Sequence, residues 1–413
     1  GAAIGHFEWC DDFSAARNVS LRLSTGDWIM WLDADDILPA ECHAPIRRLV
    51  EGARDKAYFF VLDDQGYEQV SCLQMRLFPH LPGAQFEMPV HEQVSPSLAK
   101  LGMEMVPTDI RVLHTGYTTP EVVEAKKTRY LGIMERWLEA HPEDYMERSH
   151  VALTYYSTDR LEEAVSAYRY IIEESRCYAD RNWVIYTTAL LFLGRTYLKM
   201  GELEQAREYM LKAEKVDNRY ILTQLSLAEV SARLEDHAEV IDYAQVVVES
   251  ERQMTFFPID YEEIAYSAHL LCAQAHEALG QWSDAEAAFK RASETGVMRR
   301  SEALGSLSNL YKKLGRAADA YRVLQDALAI DPAHAEHLFN TGVLHLEAKE
   351  LDSAKAHFER ALLSKPGFAL ALLNLGYIAK TRGQLDEAEA IYRRAIECDA
   401  EGVEARAIWA ISF

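Results

Sequence analysis

The chain has 413 residues, of which 49% are hydrophobic and 26% charged, with a formal net charge of −22. That is the balance of a globular protein long enough for two or three domains. The acidic excess runs through both the first 120 residues and the remainder, which argues against a nucleic-acid partner, and no apolar run approaches the ~20 residues that a membrane span needs.

The opening residues do not read as a signal peptide, and the six cysteines (Cys10, Cys42, Cys72, Cys177, Cys272 and Cys398) lie far apart. With no C-x-x-C pair and no histidine at zinc-finger spacing, they are expected to be reduced thiols in a cytoplasmic protein.

The first helix is expected to open at Phe13-Ser14-Ala15-Ala16-Arg17-Asn18, capped by Asp12 or Ser14, and to run to Leu23 before Gly26. The apolar run Trp28-Ile29-Met30-Trp31-Leu32 follows, bounded by Gly26-Asp27 before it and Asp33-Ala34-Asp35-Asp36 after it. Its length and composition predict a buried strand of an α/β sheet with three carboxylates at its carboxyl end, where such sheets bind ligands. Asp33 and Asp35, one residue apart, suit a divalent cation and a sugar hydroxyl, because hard cations take oxygen ligands from one or two carboxylates plus substrate phosphates. The plain alternative is that Asp35 or Asp36 caps a helix near Ile37.

A helix is predicted from about Ala40 to Gly52, then strands at 57–62 and 70–78. The Asp63-Asp64-Gln65-Gly66 turn suggests that the two form a hairpin. Residues 83–94 read as a loop with a short extended segment, and Asp109–His114 as the last strand, closed by Thr115-Gly116-Tyr117.

From Thr119 the period becomes helical up to His141-Pro142, predicting a linker helix over 119–144. Beyond it the sequence repeats. Ala320, Ala354 and Ala388 recur at 34 residues, as do Ala327, Ala361 and Ala395; Gly342 and Gly376 match, and Pro332 and Pro366 end the units. Looser units are marked by Tyr155, Ala164 and Tyr168, by Gly194, Tyr197, Gly201 and Ala206, and by Ala273, Gly280, Ala285 and Ala292. Residues 221–251 read as a degenerate unit with Val240 in place of alanine. Small residues at this period belong where packed helices cross, and the pattern resembles the tetratricopeptide repeat, a helix pair that stacks into a solenoid, here over 145–413.

Four motifs in order carry a second resemblance: Phe13–Asn18, Gly26–Asp36, Val90-His91-Glu92-Gln93-Val94 and His114-Thr115-Gly116-Tyr117. Together they resemble family 2 glycosyltransferases of the GT-A type, in the bacterial subgroup with tetratricopeptide repeats after the catalytic domain. The resemblance implies an α/β GT-A-like, partial nucleotide-diphospho-sugar transferase domain over 1–118 followed by an all-α repeat solenoid. It implies an inverting, metal-dependent transferase that uses a nucleotide-sugar donor, magnesium or manganese, and a peptide, protein or saccharide acceptor.

By the same resemblance Asp35 is the metal ligand and Asp33 meets the donor's hydroxyl, while Arg17 and Asn18 line the donor pocket. Glu92 lies in the acceptor-facing loop and is the expected catalytic base. His114, at a strand end, is a further metal ligand or a diphosphate contact. The plain alternatives are an ion pair of Arg17 with Asp11 or Asp12, a solvated surface acid for Glu92 and a structural histidine for His114.

Family members begin with a strand and an acidic turn that hold the nucleobase, and neither precedes Gly1, so the resemblance covers the later half of that domain. The competing reading is a non-catalytic repeat scaffold for a protein partner, with the recurring tyrosines 155, 168, 197, 311 and 392 taken mainly as core packing.

Overall fold

The structure, a computed structural model, describes residues 4–64, 71–116, 120–175, 183–250, 259–295 and 299–398. The Gln65-Gly66 turn, Tyr117 and Cys177 lie outside the described residues. Two compact units result, one of residues 1–234 with 249–261 and the other of residues 235–248 with 262–413.

The first unit begins with α1 (Phe13–Leu23), whose N-terminus is capped by Asp12 accepting from the Ala15 amide at 2.9 Å. Five strands follow: β1 (Trp28–Met30), β2 (Asp36–Ile37), β3 (Lys56–Asp64), β4 (Ser71–Pro79) and β5 (Glu104–His114). They form one sheet in the order β1-β4-β3-β5-β2, antiparallel throughout except for the parallel β3/β5 pair. The expected hairpin is therefore the antiparallel β3/β4 pair.

Alternation along β3 sends Phe59 and Val61 to one face, where they meet Leu21, Ile29, Met75, Phe78, Phe86 and Leu98. Tyr58 and Phe60 go to the other face, against Cys42, Leu77, Ile110 and Val112, and Ile46, Leu49 and Val50 of α2 (His43–Val50) pack there. A short helix α3 (Ser95–Lys100) contributes Leu98 to the first face.

The strand expected to be buried is corrected by this topology. β1 ends at Met30 and lies at the sheet edge, where Ile29 is its one buried side chain and Met30 and Leu32 are exposed. An edge strand has a neighbour on one side only, so its apolar run is divided among different partners. Ile29 enters the core, Trp28 stacks on Tyr58, and Trp31, just past the end of β1, still donates its amide to the Arg76 carbonyl of β4 at 3.3 Å. β5 in turn starts five residues earlier than the sequence suggests. Pro107 cannot donate to the ladder, and the β3/β5 register shifts there while the Thr108 hydroxyl donates to the Phe59 carbonyl at 2.8 Å.

Helix α4 (Pro120–Ala140) was expected only to connect. It buries Leu131, Ile133, Met134 and Leu138 against Val90 of the sheet region and Val151 of α5 (Tyr145–Ser157), with Phe13 alongside. Glu147 of α5 has a fully buried side chain whose Oε2 lies 3.1 Å from His150 Nδ1. Burial, with the Asp144 charge adding, pushes the Glu147 carboxyl up to about 8. Burial pushes His150 down to about 4, against the opposing Asp144 charge. Both groups are neutral near pH 7.

The helices α6 (Leu161–Ser175), α7 (Trp183–Met200), α8 (Leu203–Val216) and α9 (Ile221–Arg233) complete the first unit. α5 pairs with α6 and α7 with α8, and Ala164 and Ala206 are completely buried.

The second unit holds most of α10 (His237–Glu249), then α11 (Tyr261–Ala278), α12 (Trp282–Thr295), α13 (Arg300–Lys313) and α14 (Ala317–Ile330). It ends with α15 (Ala335–Glu347), α16 (Leu351–Ser364), α17 (Ala369–Thr381) and α18 (Leu385–Cys398). α13/α14, α15/α16 and α17/α18 are the helix pairs that the 34-residue period marks.

All six periodic alanines have zero exposure. The periodic glycines are small for a visible reason, since a Cβ on Gly342 would come 2.7 Å from the Phe358 ring and one on Gly376 2.5 Å from the Tyr392 ring. Tyr168, Tyr197, Tyr311 and Tyr392 are buried, whereas Tyr155 is half-buried and donates to Glu135 at 2.6 Å.

Gly376→Ala is expected to cost about 1–3 kcal/mol through overpacking against Tyr392, read as a lower urea midpoint. A second expectation concerns Glu147. Its folded-state pKa lies above the ordinary 4.5, so the folded chain holds the proton more tightly. Stability is then fully present below pH 4.5 and falls by about 1.4 kcal/mol per pH unit up to about 8. Glu147→Gln removes this loss, so the Tm of the variant relative to the original should rise between pH 5 and pH 9; an unchanged difference would contradict the buried neutral carboxyl.

Candidate active site

The turn after β1 is closed by Asp36. Its Oδ2 accepts from the Asp33 amide at 2.8 Å, and its own amide donates to the Asp33 carbonyl at 3.1 Å. The Asp36 side chain has zero exposure and faces Arg76 of β4, 1% exposed, at 2.7 Å. Its other oxygen, Oδ1, lies 2.9 Å from His114 Nδ1.

Burial alone would raise the Asp36 pKa, but the Asp33 amide, His114 and Arg76 together outweigh it and hold the carboxyl below its ordinary value. The Arg76 guanidinium also covers the Trp31 ring at 3.8 Å from its centroid, and the indole N–H donates to the Met75 carbonyl at 2.7 Å. Asp36 caps no helix, since it is a strand residue.

Pairing of β2 with β5 sets Asp36 opposite His114, and Thr115 donates its amide and its hydroxyl to the Asp35 carbonyl, both at 3.1 Å. Asp35, Asp36 and His114 thereby offer ligand atoms within 4.8 Å of one another, a grouping able to hold a metal ion. Asp36 is already engaged by Arg76 and orients the His114 imidazole through Nδ1. Gly116 completes the cradle, because a Cβ there would stand 2.0 Å from Asp35 Oδ2 and 2.8 Å from His114 Nε2.

Arg17 on α1 organises the other half. It pairs with Asp33 at 2.9 Å and with Glu92 through Nε, and its guanidinium lies 4.1 Å from the Trp31 ring centroid. Asp12 is occupied as the helix cap, and Asp11 pairs with Arg136 of α4 at 2.9 Å, so neither is the partner of Arg17. Glu92 is no solvated surface acid, its side chain being 12% exposed.

Asn18, expected to line a donor pocket, spends its amide elsewhere. It donates to the Phe86 carbonyl at 2.9 Å and accepts from the Phe86 amide at 2.8 Å, the exchange a neighbouring strand would make. Its role in the structure is to fix the loop that leads to Glu92.

Five of the six residues singled out in the sequence thus meet around the 31–36 turn: Arg17, Asp33 and Glu92 on one side, Asp35 and His114 on the other. Sequence reasoning missed Arg76, although an arginine inside the strand Leu73-Gln74-Met75-Arg76-Leu77-Phe78 was a signal, since a charge at a sheet centre needs a partner. It also missed Tyr130 of α4. Burial raises the pKa of this phenol, Arg129 opposes, and the charges of Glu92 and Asp33 add to the rise, so the phenol sits within their field.

Comparison with known proteins finds similarity in both parts of the chain. The glycosyl transferase family 2 profile matches residues 4–98, and tetratricopeptide repeat profiles match 187–220, 306–362 and 350–403. The chain is 24% identical over 250 residues to the SPbeta prophage-derived glycosyltransferase SunS of Bacillus subtilis, covering 58% of each chain. It is 34% identical over 153 residues to a TPR repeat-containing protein of Synechococcus elongatus, covering 35% of this chain and 38% of that one. The chain therefore spans between about two fifths and three fifths of these relatives. Among solved structures it is similar to a tetratricopeptide repeat protein from Parabacteroides merdae, with 15% identity, a TM-score of 0.47, and coverage of 65% of this chain and 99% of that one.

Arg76→Met should cost about 3–5 kcal/mol, because Asp36 is left as an unpaired buried charge. The penalty should shrink at acid pH, where Asp36 takes up a proton; urea unfolding at pH 7 and pH 4 measures both.

Proposed function

We propose that the chain, in which a glycosyl transferase family 2 domain at residues 4–98 is followed by tetratricopeptide repeats, moves a sugar from a nucleotide-sugar donor to a peptide, protein or saccharide acceptor with inversion. The observation that carries this reading is the Asp35–His114 pair, oriented by buried Asp36 and lying one turn away from the Arg17–Asp33–Glu92 group.

Carboxylate oxygen and imidazole nitrogen together suit manganese somewhat better than magnesium, which prefers oxygen alone. When bound, such a cation supplies Lewis-acid stabilisation of the departing nucleoside diphosphate.

The protein's own groups do the rest. Asp33 accepts from a hydroxyl of the donor, and Arg17 fixes the distance between Asp33 and Glu92. Glu92 takes the proton from the acceptor hydroxyl as that oxygen attacks the anomeric carbon, and the carbon–oxygen bond to the diphosphate breaks on the opposite face. The repeats present the acceptor or recruit a partner. No described helix is long and apolar enough to cross a membrane. Widely spaced free thiols suit a cytoplasmic site of action.

The test is release of nucleoside diphosphate from a panel of nucleotide-diphospho-sugars with manganese or magnesium. Asp35→Ala and His114→Ala should each lower turnover at least about 100-fold, and a chelator should abolish it until manganese is restored. Turnover that survives Asp35→Ala would remove the catalytic reading of this turn, whereas no turnover of any donor would favour the scaffold.

A further inference from the structure

The loop that carries Glu92 is not held by the sheet alone. Glu87 and Gln93 exchange two backbone hydrogen bonds, at 2.9 and 3.0 Å, and pinch off the residues between them. Within that loop Met88 and His91 have φ of 74° and 54°, the left-handed region that side chains with a Cβ adopt only at a cost. Something outside the loop must therefore stabilise it, and its contacts lead to the helical part of the chain.

The Pro89 carbonyl accepts from the Phe13 amide at 2.9 Å. Val90, 2% exposed, is buried among Leu131, Ile133, Met134 and Leu138 of α4 and Val151 of α5. The His91 ring rests against the His150 ring of α5, with centroids 4.3 Å apart and planes tilted by 42°. His150 is itself fixed from behind by the buried Glu147, so its ring presents a rigid surface. Tyr130 of α4 packs in the same cluster, edge-on to Phe13 at 5.6 Å. Glu92 comes directly after His91, so a shift of the His91 backbone is a shift of the carboxyl that Arg17 holds.

We infer that α4 and α5 are part of the active site: His150 acts as a positioning residue that seats the 88–92 turn, and through it these helices set where the Glu92 carboxyl stands. This rests on the reading of Glu92 as the base, so the experiment includes a readout that does not depend on activity. His150→Ala removes the surface under His91, and His150→Phe keeps an aromatic ring there.

In the 413-residue chain, amide hydrogen exchange at Phe13, Glu87 and Gln93 should speed up about tenfold in His150→Ala, remain near the original in His150→Phe, and leave the β3 amides of Phe59 and Phe60 unchanged in both. In the transfer assay kcat should fall about tenfold in His150→Ala with donor KM unchanged, and the phenylalanine should restore it.

Unchanged exchange at the three amides in His150→Ala overturns the proposal. So does faster exchange with kcat unaltered, which would make the seating structural only. Full turnover in Glu92→Gln overturns the assignment of the base, a result distinct from either, because the exchange data then still read the seating of the turn.

Discussion

A buried ion pair between Asp36 and Arg76 is what the site depends on. Both side chains are almost completely withdrawn from water, and a lone charge in that position would cost several kcal/mol, so neither residue is tolerable without the other. Such pairs add little net stability over a well-packed apolar pair. What this one adds is arrangement, because a carboxylate accepts more than one hydrogen bond, and Asp36 uses its two oxygens on the Asp33 amide, Arg76 and His114. The turn that displays Asp33 and Asp35, the strand that carries Arg76 and the strand end that carries His114 are joined at one carboxyl group.

Arg17 has the same function at the surface of the site that Arg76 has beneath it. Both guanidinium groups lie over Trp31, so one indole ring stands against two cations whose carboxylate partners come from the two ends of the same turn. Trp31 holds this place from just past the end of β1. Its amide still bonds to the Arg76 carbonyl, and its ring gives both arginines a flat, weakly polar support that leaves their donors free for oxygen.

Much of this was legible in the sequence, and the gaps have physical causes. The acidic end of the Trp28–Leu32 run located the turn, because an apolar run that stops in carboxylates has few structural explanations. The 34-residue recurrence located the helix pairs, because steric exclusion acts at fixed spacing. Three features could not be read. Whether Trp28–Leu32 lies at the centre or the edge of the sheet depends on strand order, which no local pattern encodes. The role of Asp36 depends on Arg76, 40 residues away, and next to a turn an aspartate looks like a cap whatever it finds in space. The contribution of α4 depends on Val90, Phe13 and Val151, none of which signals that it is waiting for that helix. Asn18, in a recognisable motif, has its amide committed to the Phe86 backbone, a partner that no spacing in the sequence indicates.

The glycine–aromatic contacts in the helix pairs bear on how far a substitution in one pair is felt. Gly342 meets Phe358 and Gly376 meets Tyr392, each sixteen residues on and in the same pair, and Gly194 stands in that relation to Met210. Each of these three is closed within its own pair, whereas Gly305 of α13 stands as close to His337 of α15 in the next pair. The pairs also share a core, since one buried cluster runs from Leu328 of α14 through Phe358 of α16 to Ile378 of α17. A substitution at such a glycine is therefore felt first in its own pair and then, through the shared core, in its neighbour, much as a change at the Asp36 carboxyl is felt in strands drawn from distant parts of the chain.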